Sequence, residues 1–240
     1  MSKSKKNVVD PEEIIANYGA DTARLFMLSD SPPDRDLDWT DSGIDGAWRY
    51  VNRLWKMMTA PKTSLAESGA EQPADLSPAC DEAYRSIHKT VAAVSSDLDK
   101  FHFNKAVARI RELTNSLDGL DPNDANPGWV LRQGFETIVR LIGPMMPHIA
   151  EELWQQLGHD VMLTETPWPE VEEALLVEDT VTVAVQVKGK LRGTLELPKG
   201  CAGKEAEDAA LALPRVAEEV AGKEVRKIIV VPDRIINVVV

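Results

Sequence analysis

The sequence has 240 residues, of which 43% are hydrophobic and 28% charged, and its formal net charge is -12. This is the composition of an ordinary globular protein, long enough for one large domain or two small ones. No apolar run approaches the roughly 18 residues of a membrane span, and none follows the first lysines as in a signal peptide. We therefore expect a cytoplasmic protein with no membrane partner. The acidity of the chain argues against non-specific binding of DNA.

The first part of the chain carries strong helix signals. Asp10-Pro11 predicts a helix start, because aspartate caps helices and proline suits the first helical position. A longer helix is predicted from about Ser42 to Thr59, where apolar side chains recur at offsets of one helix face. These side chains are Ile44, Ala47, Trp48, Val51, Leu54, Trp55 and Met58. The pattern predicts that both tryptophans are core packing residues.

The helical pattern continues beyond a loop. Residues 61–79 are rich in proline, serine, glycine and alanine, which predicts that loop. Apolar side chains at helical spacing then predict helices around 84–98, over 104–117, over 131–145 and from 147 to about 158. Amphipathic helices in such succession predict a helical bundle.

Near residue 170 the sequence changes from apolar residues at helical spacing to segments typical of β-strands. TVTVAVQV at 180–187 is dense in β-branched residues, and a second strand at 191–197 follows across a tight Lys-Gly-Lys turn. A helix is predicted over about 203–221, interrupted at Pro214, and VRKIIVV and RIINVVV supply two more strands. The order β-β-α-β-β predicts a small α+β domain. The predicted organisation is a connecting segment at 1–40, a helical bundle at 41–169, a linker at 170–179 and the α+β domain at 180–240.

Most motifs of self-contained enzymes are absent from the sequence. There is no GxxxxGK[ST] or GxGxxG phosphate loop and no GxSxG nucleophile elbow. The histidines are dispersed and lack metal-ligand spacing, so we predict structural roles for them and no metal site. They are His88, His102, His148 and His159. The cysteines, Cys80 and Cys201, form no recognisable disulfide framework.

The chain opens with Met1-Ser2-Lys3-Ser4. Small hydroxyl residues around a lysine suit a loop that closes on phosphates, where the ammonium group neutralises charge that develops during nucleotidyl transfer. Lysines near a terminus are also typical of a solvated tail, and the four residues taken alone favour that interpretation.

A cluster of polar side chains on the Ser42–Thr59 helix suggests contacts with RNA phosphates. Arg49, Asn52, Arg53 and Lys56 recur at helical offsets opposite the tryptophans, as in a basic ridge along the helix. A solvated helix face, paired with acids such as Asp45, fits the same spacing equally well.

A second cluster lies in the predicted α+β domain. It comprises Lys188, Lys190 and Arg192 around the hairpin turn, and Arg226, Lys227 and Arg234 on or beside later strands. Exposed lysines also protect edge strands against aggregation, which is the alternative interpretation here.

The sequence resembles a known family along essentially its whole length. NVVDP, YGADTARLF, DLDW and GAWRYVNRLW follow the opening MSKS in the order and spacing of class I aminoacyl-tRNA synthetases, from their KMSKS loop into the helical domain. GPMMPHIAEELWQQLG and TPWPEV resemble later helices of that domain. VAVQVKGKLRGTLELP and VRKIIVVPDRIINVVV resemble the C-terminal domain of bacterial leucyl enzymes, and this favours the leucyl over the isoleucyl and valyl families.

The resemblance implies a mainly α fold, with an anticodon-stem-binding helical bundle followed by a small α+β domain. It also implies a chain that begins inside the KMSKS motif and lacks the nucleotide-binding fold and the editing domain. The intact enzyme would ligate leucine to its tRNA through a leucyl-adenylate, using ATP and Mg, with Lys3 on the ATP phosphates and Ser2 and Ser4 shaping the loop. We expect this chain alone to hold no cofactor and to be inactive.

The partners that the resemblance implies are leucine tRNA and the missing catalytic and editing portion. The bundle would pack along the tRNA stem without reading the anticodon, and the C-terminal domain would contact the corner where the D and T loops meet. A helical protein-interaction or scaffold module without RNA affinity is the alternative. The two basic clusters favour RNA, whereas the net charge of -12 favours the alternative.

Overall fold

The computed structural model describes residues 9–177, 180–223 and 225–240. The chain divides into two compact units, of which the first ends at Leu176 and the second begins at Val177. The first unit is helical and the second combines helices with a sheet, so the predicted mainly α fold with a small α+β region is confirmed. Within the described ranges, no helix is both long and apolar enough to cross a membrane.

Helices α1 to α7 form the first unit. They are α1 Pro11–Tyr18, α2 Ala20–Asp30, α3 Asp41–Thr59, α4 Pro78–Asp99, α5 Phe103–Asp118, α6 Pro127–Ile142 and α7 Pro147–Gln156. Local side chains cap several of their starts. The Asp10 carboxylate accepts a hydrogen bond from the N–H of Glu12, and the Thr40 hydroxyl accepts one from the N–H of Gly43. These bonds satisfy N–H groups that the helices leave unpaired.

The start of α7 is capped by a residue from another helix. The Asp21 carboxylate accepts a hydrogen bond from the N–H of Ile149 at 2.7 Å and lies 2.9 Å from His148 Nδ1. A carboxylate at this position complements the positive end of the α7 dipole. Asp21 therefore ties α2 to α7.

One apolar core runs through the helical unit. Leu25 and Phe26 of α2, Leu54 of α3, and Phe135 and Ile138 of α6 are all nearly inaccessible and belong to the same cluster. Each such side chain typically stabilises the fold by about 2 kcal/mol through burial. Helix α2 therefore shares its core with the helices that follow it.

The buried face of α3 differs from the predicted face. Its buried residues are Ile44, Ala47, Tyr50, Leu54 and Met58. Trp48 and Trp55 are 40% and 39% exposed, so the prediction that they are core packing residues is wrong. Tyr50 is buried in their place. Its hydroxyl can be buried because it is hydrogen-bonded to Thr114 Oγ1 at 2.9 Å. Burial raises the pKa of the Tyr50 phenol to about 12.

The second unit is a mixed sheet with helices on one face. Its elements are β1 Thr180–Val187, β2 Lys190–Pro198, α8 Lys204–Ala212, α9 Pro214–Val220, β3 Lys227–Val231 and β4 Ile235–Val239. The strand order is β2-β1-β4-β3, in which β1 and β4 are parallel and the other neighbours antiparallel. Alternate residues of β1 and β4, among them Val185 and Ile236, share a core with α8 and α9, to which Val216 of α9 belongs. The predicted β-β-α-β-β order and the helix break at Pro214 are confirmed.

Candidate nucleic-acid interface

Two of the predicted cations on α3 are available to a ligand. Within the described part of the chain, Arg49 and Lys56 have no hydrogen-bond or ion-pair partner. They lie seven residues apart, which is about 10.5 Å along the helix axis. Asn52 lies between them and donates from Nδ2 to the carbonyl oxygen of Trp48 at 2.8 Å.

Arg53, the fourth predicted residue, is held by α5. Its guanidinium donates to Asn115 Oδ1 at 2.6 Å and to Asp118 Oδ2 at 2.9 Å. Lys62 donates to the other oxygen of the same carboxylate at 2.7 Å. Arg53 therefore helps to join α3 to α5, and the pairing with Asp45 that the sequence suggested is replaced by one that is distant in the chain.

Hydrogen bonds from Lys62 and Arg53 hold the pKa of the Asp118 carboxyl below its usual value. The folded state therefore favours the ionised form. The stabilisation is fully present above the ordinary pKa of aspartate and is lost as the pH falls through the lower pKa of the folded protein.

We expect Asp118→Asn to lower the free energy of unfolding near neutral pH by at most about 1 kcal/mol, because water screens these partly exposed charges. The difference between the variant and the wild type should shrink as the pH falls below about 4. Thermal melts of both proteins over a pH series measure this difference. The exposed Glu71, replaced by glutamine, is the control, and a difference for Asp118→Asn that does not change with pH would contradict the assignment.

A cavity of about 350 Å³ lies beside these cations. Its apolar wall comprises Met57, Leu117, Leu120, Leu131 and Phe135, and its polar rim comprises Arg53, Lys56, Lys62 and Asp118. The rim carries three cations against one carboxylate. The end of α3 thus combines an apolar recess with excess positive charge.

The topology of the sheet gathers four of the predicted cations at one end. Lys188 and Gly189 form the hairpin loop with φ values of 50° and 76°, as a type I′ turn requires. The Lys188 N–H donates to the carbonyl oxygen of Val238, and Lys227 pairs with Val239. Lys188, Lys190, Arg226 and Lys227 therefore lie at the same end of the sheet, and all four are exposed.

The remaining two predicted cations are placed differently. Val185 pairs with Gly193 and the next residue pairs with Leu191, so Arg192 is the extra residue of a β-bulge. Its guanidinium forms an ion pair with Glu219 of α9 at 2.7 Å. Arg234 precedes β4 and lies at the opposite end of the sheet. Neither residue joins the cluster at the hairpin end.

A buried polar network centred on Glu136 of α6 has no local signal in the sequence. Glu136 Oε1 lies 3.4 Å from Arg132 Nη1 and 3.0 Å from His159 Nε2. The His159 ring stacks on Trp154 with centroids 3.6 Å apart. This packing fits the structural role predicted for His159. Across the described residues, no group of three or more His, Cys, Asp or Glu side chains is arranged to hold a metal ion.

Two protein-family models match the chain. The family model described as the anticodon-binding domain of tRNA ligase matches residues 81–207, more than half of the chain. The chain belongs to this family. A second model, described as tRNA synthetases class I (I, L, M and V), matches residues 1–40. Helix α3 lies between the two matched ranges of this anticodon-binding-domain protein.

Similar curated proteins extend the likeness to the whole chain. The leucine–tRNA ligase of Paramagnetospirillum magneticum is 62% identical over 240 residues, and that of Rhodospirillum rubrum is 59% identical over the same length. Each alignment includes all of this chain and 28% of the relative. The chain is thus homologous to leucine–tRNA ligases, α3 included, and spans a little more than a quarter of their length.

Solved structures agree with this relationship. A crystal structure of the ternary complex of Agrobacterium radiobacter K84 agnB2 LeuRS, tRNA and LeuAMS superposes with a TM-score of 0.78 at 31% identity, over all of this chain and 31% of that one. Mycobacterium tuberculosis methionyl-tRNA synthetase with methionyl-adenylate matches 64% of this chain and 34% of its own, with a TM-score of 0.51 at 18% identity. The second likeness concerns the fold alone.

Proposed function

We propose that the chain is the tRNA-binding part of a leucine–tRNA ligase, whose intact form joins leucine to its tRNA with ATP through a leucyl-adenylate. The observation that carries this proposal is the 62% identity to a leucine–tRNA ligase along the entire chain. A similar LeuRS has been solved with tRNA, which supports tRNA as the ligand. The remaining portion of the ligase is the proposed protein partner, because the relatives are more than three times as long.

Two surfaces would contact the tRNA. On the helical unit, Arg49 and Lys56 would neutralise phosphates, with Asn52 between them. On the sheet unit, phosphates at the outer corner of the tRNA would be neutralised by Lys188, Lys190, Arg226 and Lys227. Arg53 and Arg192 contribute less in this proposal, because each is held in an ion pair within the chain.

Catalysis would require groups that the described residues do not supply. Lys3 is proposed to contact the ATP phosphates in the intact enzyme, and Ser2 and Ser4 to shape the loop, but all three lie outside the described residues. The described residues also offer no acidic cluster that fits the Mg implied by the family. We therefore propose that this chain alone does not form leucyl-adenylate, which an assay of leucine-dependent pyrophosphate exchange tests.

The test of RNA binding compares wild type with the double variant Arg49→Gln/Lys56→Gln. We expect the variant to bind leucine tRNA roughly tenfold more weakly near physiological salt, because two phosphate contacts are lost. The plot of log affinity against log salt should become shallower by about two. Filter binding across a salt series, with an unrelated tRNA as competitor, measures both quantities.

The matched control is Lys100→Gln/Lys105→Gln, which removes the same charge from the residue after α4 and from the first turn of α5. This control should bind as the wild type does. If the wild-type chain is folded by circular dichroism and binds no tRNA, the proposal fails and the scaffold function that the net charge of -12 favours takes its place. Equal losses in both double variants would mean that net charge, and not this surface, governs the affinity.

A further inference from the structure

Asn52 is the centre of a regular constellation on α3. Residues three and four positions apart are neighbours on a helix surface. The four such neighbours of Asn52 are Trp48, Arg49, Trp55 and Lys56. The two indoles lie on one side of Asn52 and the two cations on the other, so the tryptophans adjoin this polar surface and do not lie opposite it as the sequence predicted. We refer to these five residues as the Asn52 constellation.

The exposure of its tryptophans is unusual. Tryptophan is highly buried on average, whereas Trp48 and Trp55 leave 40% and 39% of their surfaces exposed. A single exposed apolar side chain would need no explanation, but these two form a stripe about 10.5 Å long on one helix face. Trp48 is also fixed, because the Tyr18 ring meets it nearly perpendicularly and the Tyr18 hydroxyl donates to Asp45 Oδ1 at 2.9 Å.

The polar groups of the constellation point to an anionic ligand that also donates hydrogen bonds. The Nδ2 group of Asn52 is bound to the Trp48 carbonyl oxygen, and within the described ranges its Oδ1 has no donor. Arg49 and Lys56 likewise have no intrachain partner there. The nearby acid Asp45 is occupied by Tyr18. Aromatic faces, an amide acceptor and two cations thus lie side by side.

We propose that the Asn52 constellation binds unpaired nucleotides of RNA. Their bases stack on Trp48 and Trp55, their phosphates meet Arg49 and Lys56, and an amino group of a base donates to Asn52 Oδ1. Unpaired bases present the open faces that such stacking needs, whereas the bases of a duplex stack on one another. The inference rests on the proposed function, since it specifies which part of an RNA this surface takes.

The first test measures binding of leucine tRNA to Trp48→Leu/Trp55→Leu. Leucine keeps an apolar side chain and removes the ring, so each substitution should weaken binding about fivefold or more. The variant Trp48→Phe/Trp55→Phe should recover most of the affinity, because a ring is restored. The control is Trp168→Leu, since Trp168 is 37% exposed, donates to Ser95 Oγ and lies outside the Asn52 constellation. Affinity that is unchanged in the leucine variant would overturn the inference while leaving the proposed function in place.

The second test measures RNA binding on the wild-type protein. Wild-type protein labelled with 5-fluorotryptophan is titrated with a short oligoadenylate and, separately, with its duplex with oligouridylate. Fluorine NMR signals, assigned through the single phenylalanine variants, should shift for Trp48 and Trp55 with the single strand alone, while that of Trp168 stays in place. Equal shifts with both RNAs, or none with either, would overturn the inference whether or not the chain binds tRNA.

Discussion

Replacing Glu136 with alanine is expected to lower the free energy of unfolding by about 3 kcal/mol. Glu136 is 8% exposed on α6, and its carboxylate is the only counter-charge paired with Arg132 among the described residues. Arg132 is itself nearly buried and also donates to the carbonyl oxygens of Ala66 and Leu157. The substitution would leave its guanidinium charge buried without a carboxylate, and His159 would lose its hydrogen-bond partner. Urea denaturation near neutral pH measures the loss.

Glu136→Gln separates the charge from the shape of this side chain. Glutamine retains the volume and one acceptor oxygen, so we expect a smaller loss of about 1 kcal/mol. If alanine and glutamine destabilise the protein equally, the loss comes from the carboxylate charge alone, and the volume and acceptor oxygen that glutamine retains contribute nothing. If alanine has no effect, the network does not stabilise the fold.

Gly128→Ala is expected to lower the free energy of unfolding by about 2 kcal/mol. Gly128 lies in the first turn of α6, and a Cβ atom there would overlap the carbonyl oxygen of Ser64. Because the obstacle is backbone, it cannot rotate away as a side chain could. The Gly128 carbonyl also accepts a hydrogen bond from the N–H of Ala66 at 3.2 Å, so the loop that follows Lys62 is held against α6. The methyl group would therefore displace the segment that positions the Lys62 side of the cavity.

The matched control for this substitution is Gly46→Ala on α3. The nearest atom to a Cβ at Gly46 is Arg49 Nη2 at 3.8 Å, an ordinary contact. Alanine in a helix interior should stabilise the fold by about 0.5–1 kcal/mol relative to glycine. Chemical denaturation of both variants should thus give shifts of opposite sign. A stable Gly128→Ala protein would mean that the loop does not approach α6 as closely as the structure indicates.

The sequence predicted the elements because the signals that define them are local. Asp10-Pro11 and Thr40 start helices through bonds that reach two or three residues, and Lys188-Gly189 closes a hairpin by its own backbone preference. Runs of β-branched residues show directly where each strand lies in the sequence. Sheet order could not be read in this way, because the pairing of β1 with β4 joins residues far apart in the chain.

The candidate interface was predicted only in part, for the same reason. Helical spacing brought Arg49, Asn52, Arg53 and Lys56 to one surface, but spacing cannot reveal that Asp118, 65 residues later, holds Arg53. Helical spacing also cannot show which edge of an apolar face is buried. It therefore predicts a core position for the tryptophans at one edge, whereas Tyr50 at the other edge is the buried residue. The cap that Asp21 provides to α7 spans 128 residues and has no local signal either.

The parallel pairing of β1 with β4 has a consequence for how the sheet forms during translation. Ala184 of β1 pairs with Ile235 of β4, which lies 51 residues later in the chain. Residues of β1 therefore leave the ribosome well before those of β4. The β1–β2 hairpin therefore emerges with one long side unpaired, and the nascent chain must hold that side open until the later strand inserts. Open strand edges readily pair with another chain. Until β4 has been synthesised, this open edge of β1 is therefore a site at which a neighbouring nascent chain can pair wrongly.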